Sequence, residues 1–301
     1  MVVEQIFQIA KIHKQPSLIS VVGFIFVCIS TILAVMSHQP PMGFFIIALT
    51  VIPAVPFFIR MTICEEKGEE ILIKFISAIP PKKLENAKKG LASIYNEIIK
   101  LYTYFFIGCV IGFAFTSSIM PQESSNLVFA DIKQLMVSVM SSSSQALNQL
   151  NTSSFLEIFC HNFKLMLIML VFSLVYSIGA VFLLVLNAAV IGLFLEAGIR
   201  SILPSFSSFG VLAYPAAFLF GSFQGILSLL PHGIWEFSAF FMASVAGGIL
   251  SVAIERKAYK RKEIFKPLLT DVVKLLLLAT LLLAVGAFVE SSYSALPEFL
   301  K

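Results

Sequence analysis

The sequence predicts an all-α, polytopic transmembrane helical bundle, and three observations carry that prediction. Of 301 residues, 58% are hydrophobic and only 13% are charged, about half the charge with which a soluble domain covers its water-facing surface. Apolar stretches of about 20 residues recur along the chain, each long enough to cross a hydrocarbon core about 30 Å thick. The residue-by-residue alternation of a transmembrane β-barrel is absent. Lipid offers no partner to backbone N–H and C=O groups, so such stretches must satisfy themselves as helices. The mean hydropathy of +0.94 agrees.

The pattern places about seven spans. The first runs from Leu18 to Met36 and the second from Met42 to Ile59, joined by a short loop containing Pro40-Pro41 that makes them an antiparallel hairpin. Pro53 and Pro56 inside the second predict a kink. A third span covers Leu101–Met120, and a fourth begins near Phe163 and continues past Asn187. Val211–Leu230 and Ile234–Ile254 follow, separated by Pro231-His232-Gly233, and the last span is Leu268–Val289. Phe163 to Ile199 is too long for one crossing and too short for two with a loop. Residues 188–200 therefore read as a cytoplasmic half-helix, re-entrant or interfacial, in which Glu196 and Arg200 pair at i, i+4. A single long tilted helix projecting into the cytoplasm is the alternative.

Charge orients these spans. Short loops rich in Lys and Arg stay in the cytoplasm; Arg60–Lys100 carries eight such residues and Arg256–Lys266 six, whereas Pro121–His161 carries Lys133 alone. Seven spans starting with Lys11 and Lys14 inside put both basic loops in the cytoplasm. The N-terminus is then cytoplasmic, and the Ser-rich loop, the Pro231-His232-Gly233 turn and the C-terminus are extracytoplasmic. Three regions follow: an N-terminal hairpin (1–60), a cytoplasmic amphipathic-helical loop (61–100), and a membrane domain (101–301) with an outer loop at 121–161 and a basic loop at 255–267. Glu69–Ala78 and Leu84–Ile99 show apolar residues at helical spacing, suited to the membrane surface, the bundle or a partner. In the outer loop, Ile132–Val139 reads as an interfacial helix and Ser141–Ser144 as linker. Asn151-Thr152-Ser153 makes Asn151 a formal glycosylation acceptor. The four cysteines, Cys28, Cys64, Cys109 and Cys160, show no pairing spacing and read as small hydrophobes.

Ionisable groups within spans are costly and usually functional. Asp271 and Lys274 lie near a boundary, where they can pair. His232 and Glu236 are spaced i, i+4 on the first turn of the sixth span, after Pro231 and Gly233, and Glu290 lies at a similar depth on the last. With Asn187 they form a candidate polar cluster: a hydrogen-bonded lock, a proton or ion site, or a weakly supported cation site. No metal or cofactor is expected. Gly108 and Gly112, then Gly221 and Gly225, form GxxxG pairs that favour close helix contact.

Gly179-Ala180, Asn187-Ala188-Ala189-Val190-Ile191-Gly192, Leu230-Pro231-His232-Gly233-Ile234-Trp235-Glu236 and Ala287-Phe288-Val289-Glu290 occur in an order that resembles the stage II sporulation protein M family, in its archaeal and non-sporulating form. The resemblance covers roughly Lys100 to Glu290. It implies an integral membrane protein without enzymatic activity, and, by analogy with the family's sporulation member, a scaffold for partner proteins. The expected function is a non-enzymatic membrane scaffold in the cell membrane, in contact with lipids and unidentified protein partners. A homo-oligomer is left open and no nucleic acid is expected. The rival is a transporter or channel with a polar site at His232, Glu236 and Glu290. HExxH, GxSxG and paired intramembrane Asp residues are absent, which disfavours a hydrolase.

Overall fold

A computed structural model describes residues 17–38, 40–58, 84–137, 154–175, 177–229, 233–255, 257–260 and 262–294, with the backbone alone for 84–99. The helices are α1 (Ser17–Ser37), α2 (Met42–Phe58), α3 (Leu84–Ile119), α4 (Gln122–Val128), α5 (130–137), α6 (Ser154–Val175), α7 (Ser177–Ile202), α8 (Ala213–Leu229), α9 (Ile234–Glu255) and α10 (Lys262–Ser294). A 3₁₀ segment, Leu203–Leu212, joins α7 to α8. Among the described residues there is no strand. The chain is an all-α polytopic membrane bundle, as its composition requires.

Glycine contacts set the register of the helices. Gly108 and Gly112 of α3 lie against Ser20 and Val27 of α1 so closely that a Cβ on Gly108 would enter the Ser20 backbone. Gly192 of α7 meets Phe113 and Ala114 of α3, and Arg200 reaches the Ser117 and Met120 carbonyls, so α3 and α7 run parallel. Antiparallel to α3, α2 brings Phe58 against Tyr102 and Phe105 at one end and Gly43 against Asp131 at the other. Helices α6 and α9 are parallel: Asn162 meets Glu236, and eleven residues further along both, Ser173 meets Gly247. Trp235 and Glu236 flank Gly286 of α10 while Ala253 clusters with Leu268, making α9 and α10 antiparallel.

These registers define two ends. One, the network end, gathers the ends of α1, α3, α7 and α10 and the starts of α2 and α6. The other, the basic end, carries the turn at Lys257–Lys260. Among the described residues, seven helices run between them: α1, α2, α3, α6, α7, α9 and α10. The largest core packs Phe105, Cys109 and Phe113 of α3 against Ile46, Ile47 and Phe58 of α2 and Leu184 and Ala188 of α7. Outward faces carry bulky apolar residues such as Ile32, Ile111, Ile168 and Leu281, where lipid would lie.

Three expectations need correction. The fourth span is two helices, α6 and α7, with one residue between them. Its start at Phe163 was placed nine residues late, which hid the length needed for a second crossing. Residues 188–200 are therefore no half-helix and do not lie at the basic end: they are the second half of α7, and Arg200 lies at the network end beside Met120. The fifth span ends partway along the bundle. Gly221 and Gly225 of α8 lie against Ile199 and Leu195 of α7, so four further residues bring Leu229 level with residue 191, roughly 16 Å below the α7 C-terminus and roughly 21 Å short of the α7 N-terminus at the basic end. The amphipathic stretch from Leu84 is continuous with the third span as one 36-residue helix. The outer loop yields two short helices, α4 and α5. Glu69–Ala78, Ser141–Ser144, Cys64 and Asn151 lie outside the described residues.

Candidate functional site

Two polar clusters lie in the half of the bundle nearest the network end. The first is built from the segment after α3. Glu196, on α7 and 3% exposed, accepts hydrogen bonds from Ser125 Oγ at 2.7 Å and Arg200 Nε at 2.7 Å, and pairs with Lys133 Nζ at 3.0 Å. Arg200 also donates to the carbonyls of Ser117 and Met120 at 2.6 and 2.8 Å. The last carbonyls of an α-helix have no partner within it, and a guanidinium there both satisfies them and opposes the negative end of the helix dipole. Lys133 reaches further, to Asn126 Oδ1 at 2.9 Å. Asp131, on α5, then accepts the backbone N–H groups of Gly43 and Phe44 at 3.0 and 2.7 Å, serving the first turn of α2 as a capping carboxylate from 87 or 88 residues away. Gly43 permits this approach, because a Cβ there would meet the carboxylate.

The i, i+4 pair of Glu196 and Arg200 therefore forms as its spacing implies, but at the network end. Ser125, Asp131 and Lys133 carried no motif in the sequence. Lys133, the one Lys or Arg in the loop from Pro121 to His161, was the available signal.

The second cluster is deeper. The Asn162 amide of α6 donates to the Glu236 carboxylate of α9. Gly286 of α10 packs against Trp235 and Glu236, and one turn further along α10 Glu290 is 7% exposed. Register places Glu236 roughly 12 Å below the start of α6. Asn162 was not foreseen: it fell between the outer loop ending at His161 and a fourth span expected to start near Phe163, whereas it lies within α6. Gly233 is buried, whereas Pro231 and His232 lie outside the described residues. Asn187, 4% exposed, is on α7 about a turn deeper than Glu236, and its amide nitrogen has no hydrogen-bond partner. Asp271 and Lys274, near the basic end, pair at 2.9 Å. Among the described residues, no group of three His, Cys, Asp or Glu side chains converges as a metal site would require.

Apart from the Gly43 and Phe44 amides of α2, both clusters fall within the region matched by a family model described as Stage II sporulation protein M, which covers residues 101–295. The chain belongs to the stage II sporulation protein M family. That match begins where α3 enters the bundle and ends with α10, so it takes in the Asn187–Gly192 block, Glu236 and Glu290. The hairpin of α1 and α2 precedes it. No curated protein and no solved structure matches the chain.

Proposed function

We propose that this multi-pass membrane protein is a non-enzymatic scaffold that organises protein partners at its network end, with that end extracytoplasmic, the N-terminus cytoplasmic and the C-terminus outside. The observation that carries this reading is the way α4 and α5 are fixed. Glu196, Arg200 and Lys133 tie the segment to α3 and α7, and Asp131 ties it to α2. The segment is thereby a rigid platform, and it presents Leu127 and Val137 at 71% and 62% exposure. Every charge in the network is matched by a neighbour, which suits a fixed surface better than a moving pathway. The orientation rests on the basic loops, and the absence of an enzymatic role rests on the missing hydrolase motifs. Purification in mild detergent followed by mass spectrometry tests the proposal. A stoichiometric partner that is lost from a Leu127→Asp/Val137→Asp variant of normal yield is the expected result. A partner-free wild-type protein contradicts it.

One observation favours a second reading, transport. Among the described residues, Glu236 is an intramembrane carboxylate held by an amide rather than a cation, and such groups mark ion and proton pathways. Loss of proton or solute flux from liposomes by a well-folded Glu236→Gln variant would support transport over the scaffold.

A further inference from the structure

From Ser201 to Trp235 the chain carries no Asp, Glu, Lys or Arg, yet this stretch contains the one helix, α8, that is out of step with its neighbours among the described residues. The helix has 17 residues. Tyr214, in its first turn, bonds the Ser118 hydroxyl near the end of α3, and Gly221 and Gly225 run down α7, so α8 descends from the network end. It stops level with residue 191 of α7. Independently, the Asn162–Glu236 and Gly286–Trp235 contacts place the start of α9 roughly 10 Å below the network-end termini of α6 and α10. The end of α8 and the start of α9 thus share one depth, and only α9 continues to the basic end.

We propose that Leu203–Leu229 is a re-entrant half-span: it dips from the network face into one leaflet, stops near mid-depth, and exposes its outer face to the acyl chains of that leaflet. Its two faces identify the occupant. Helix association within a membrane relies on small residues that let backbones approach, and α8 commits its small residues, Ala217, Gly221 and Gly225, to α7. The opposite face offers Leu219, Phe220, Phe223 and Leu227, all exposed, a bulky surface suited to lipid rather than to a second copy of the chain. The 3₁₀ segment above it continues this surface with Val211 at 95% exposure. There Gly210 adopts φ 56°, ψ −123°, a conformation open to glycine and closed to most side chains, which lets the chain reverse over the top of α7. Backbone that is not helical is tolerated at such depth where protein encloses it, and Gly233 is buried.

This topology makes a specific claim about Trp235, the chain's single tryptophan. Tryptophans concentrate at membrane boundaries, but Trp235 lies roughly 10 Å below the network-end termini of α6 and α10, which under this topology puts it beneath the boundary. The native protein in liposomes of phosphatidylcholine brominated at shallow, middle or deep acyl positions reports that depth by fluorescence quenching. Strongest quenching from the middle positions is expected; strongest quenching from the shallow ones overturns the proposal. A spin label at Leu227→Cys, in a chain without its native cysteines, reports the occupant. High oxygen accessibility and low accessibility to a water-soluble relaxer are expected. Shielding from both reagents, as a protein neighbour would give, or water exposure matching a label at Tyr259→Cys at the basic end, overturns it.

Discussion

The Glu196 network is built on a buried carboxylate and the Glu236 seam on a half-buried one with Glu290 buried beside it, and their surroundings differ in kind. Glu196 has two cations, a hydroxyl and helix-end carbonyls around it, and the groups come from α3, α4, α5 and α7. Among the described residues, Glu236 is met by one amide, from Asn162, with Glu290 nearby on the neighbouring helix. A buried charge with matched partners is a fastening: removing one member strands the others, at a cost of about 3–5 kcal/mol. A carboxylate bound by an amide has less to lose when its charge is removed, because a glutamine can accept the same hydrogen bond. The comparison assigns architecture to the first cluster and leaves the second available for chemistry.

The sharpest way to break this distinction is Glu196→Ala. It leaves Arg200 and Lys133 facing each other unpaired, and a stability loss of about 3–5 kcal/mol is expected, measured by unfolding in detergent. Next comes Gly221→Val, which forces α8 off the Ile199 backbone; overpacking of this kind costs about 1–3 kcal/mol. Its effect should be confined to α8 and the 3₁₀ segment in hydrogen exchange, because α8 packs chiefly on α7. Asp131→Ala should cost about 1 kcal/mol, the usual value of a capping side chain, with faster exchange at Gly43 and Phe44. Smallest of all is Glu236→Gln, expected to shift stability by under about 1 kcal/mol. A loss as large as that of Glu196→Ala would make the seam a fastening too.

The bundle was legible in the sequence where apolar runs are bounded by polar or proline residues. The spans at Ser17–Ser37, Met42–Phe58 and Ile234–Glu255 fall within a residue or two of their expected limits. It was illegible where helices abut. Val175 and Ser177 end and begin separate helices with no proline at the reversal and only Gly179, packed on Phe172, to mark it, so hydropathy ran through the turn and misplaced the helices at 154–202. The same displacement put Glu196 and Arg200 on the wrong side and concealed that α8 stops short, since 17 apolar residues look much like a crossing. Glu236, Glu290 and Asn187 were visible as polar interruptions of apolar runs. Their grouping was expected from similar depth; the helix faces that meet were not, because these are set by the Gly192, Gly247 and Gly286 contacts and glycine spacing alone does not name the partner. The Asp131 cap on α2 joins positions 88 residues apart and has no local signature at all.

The central claim is that the Glu196 network holds α4 and α5 as a fixed platform. Hydrogen–deuterium exchange on the wild type and Glu196→Ala, compared peptide by peptide in the same detergent, tests it most directly. The account predicts that 122–137 loses most of its protection in the variant while α9 and α10 keep theirs. Unchanged protection of 122–137 would contradict it.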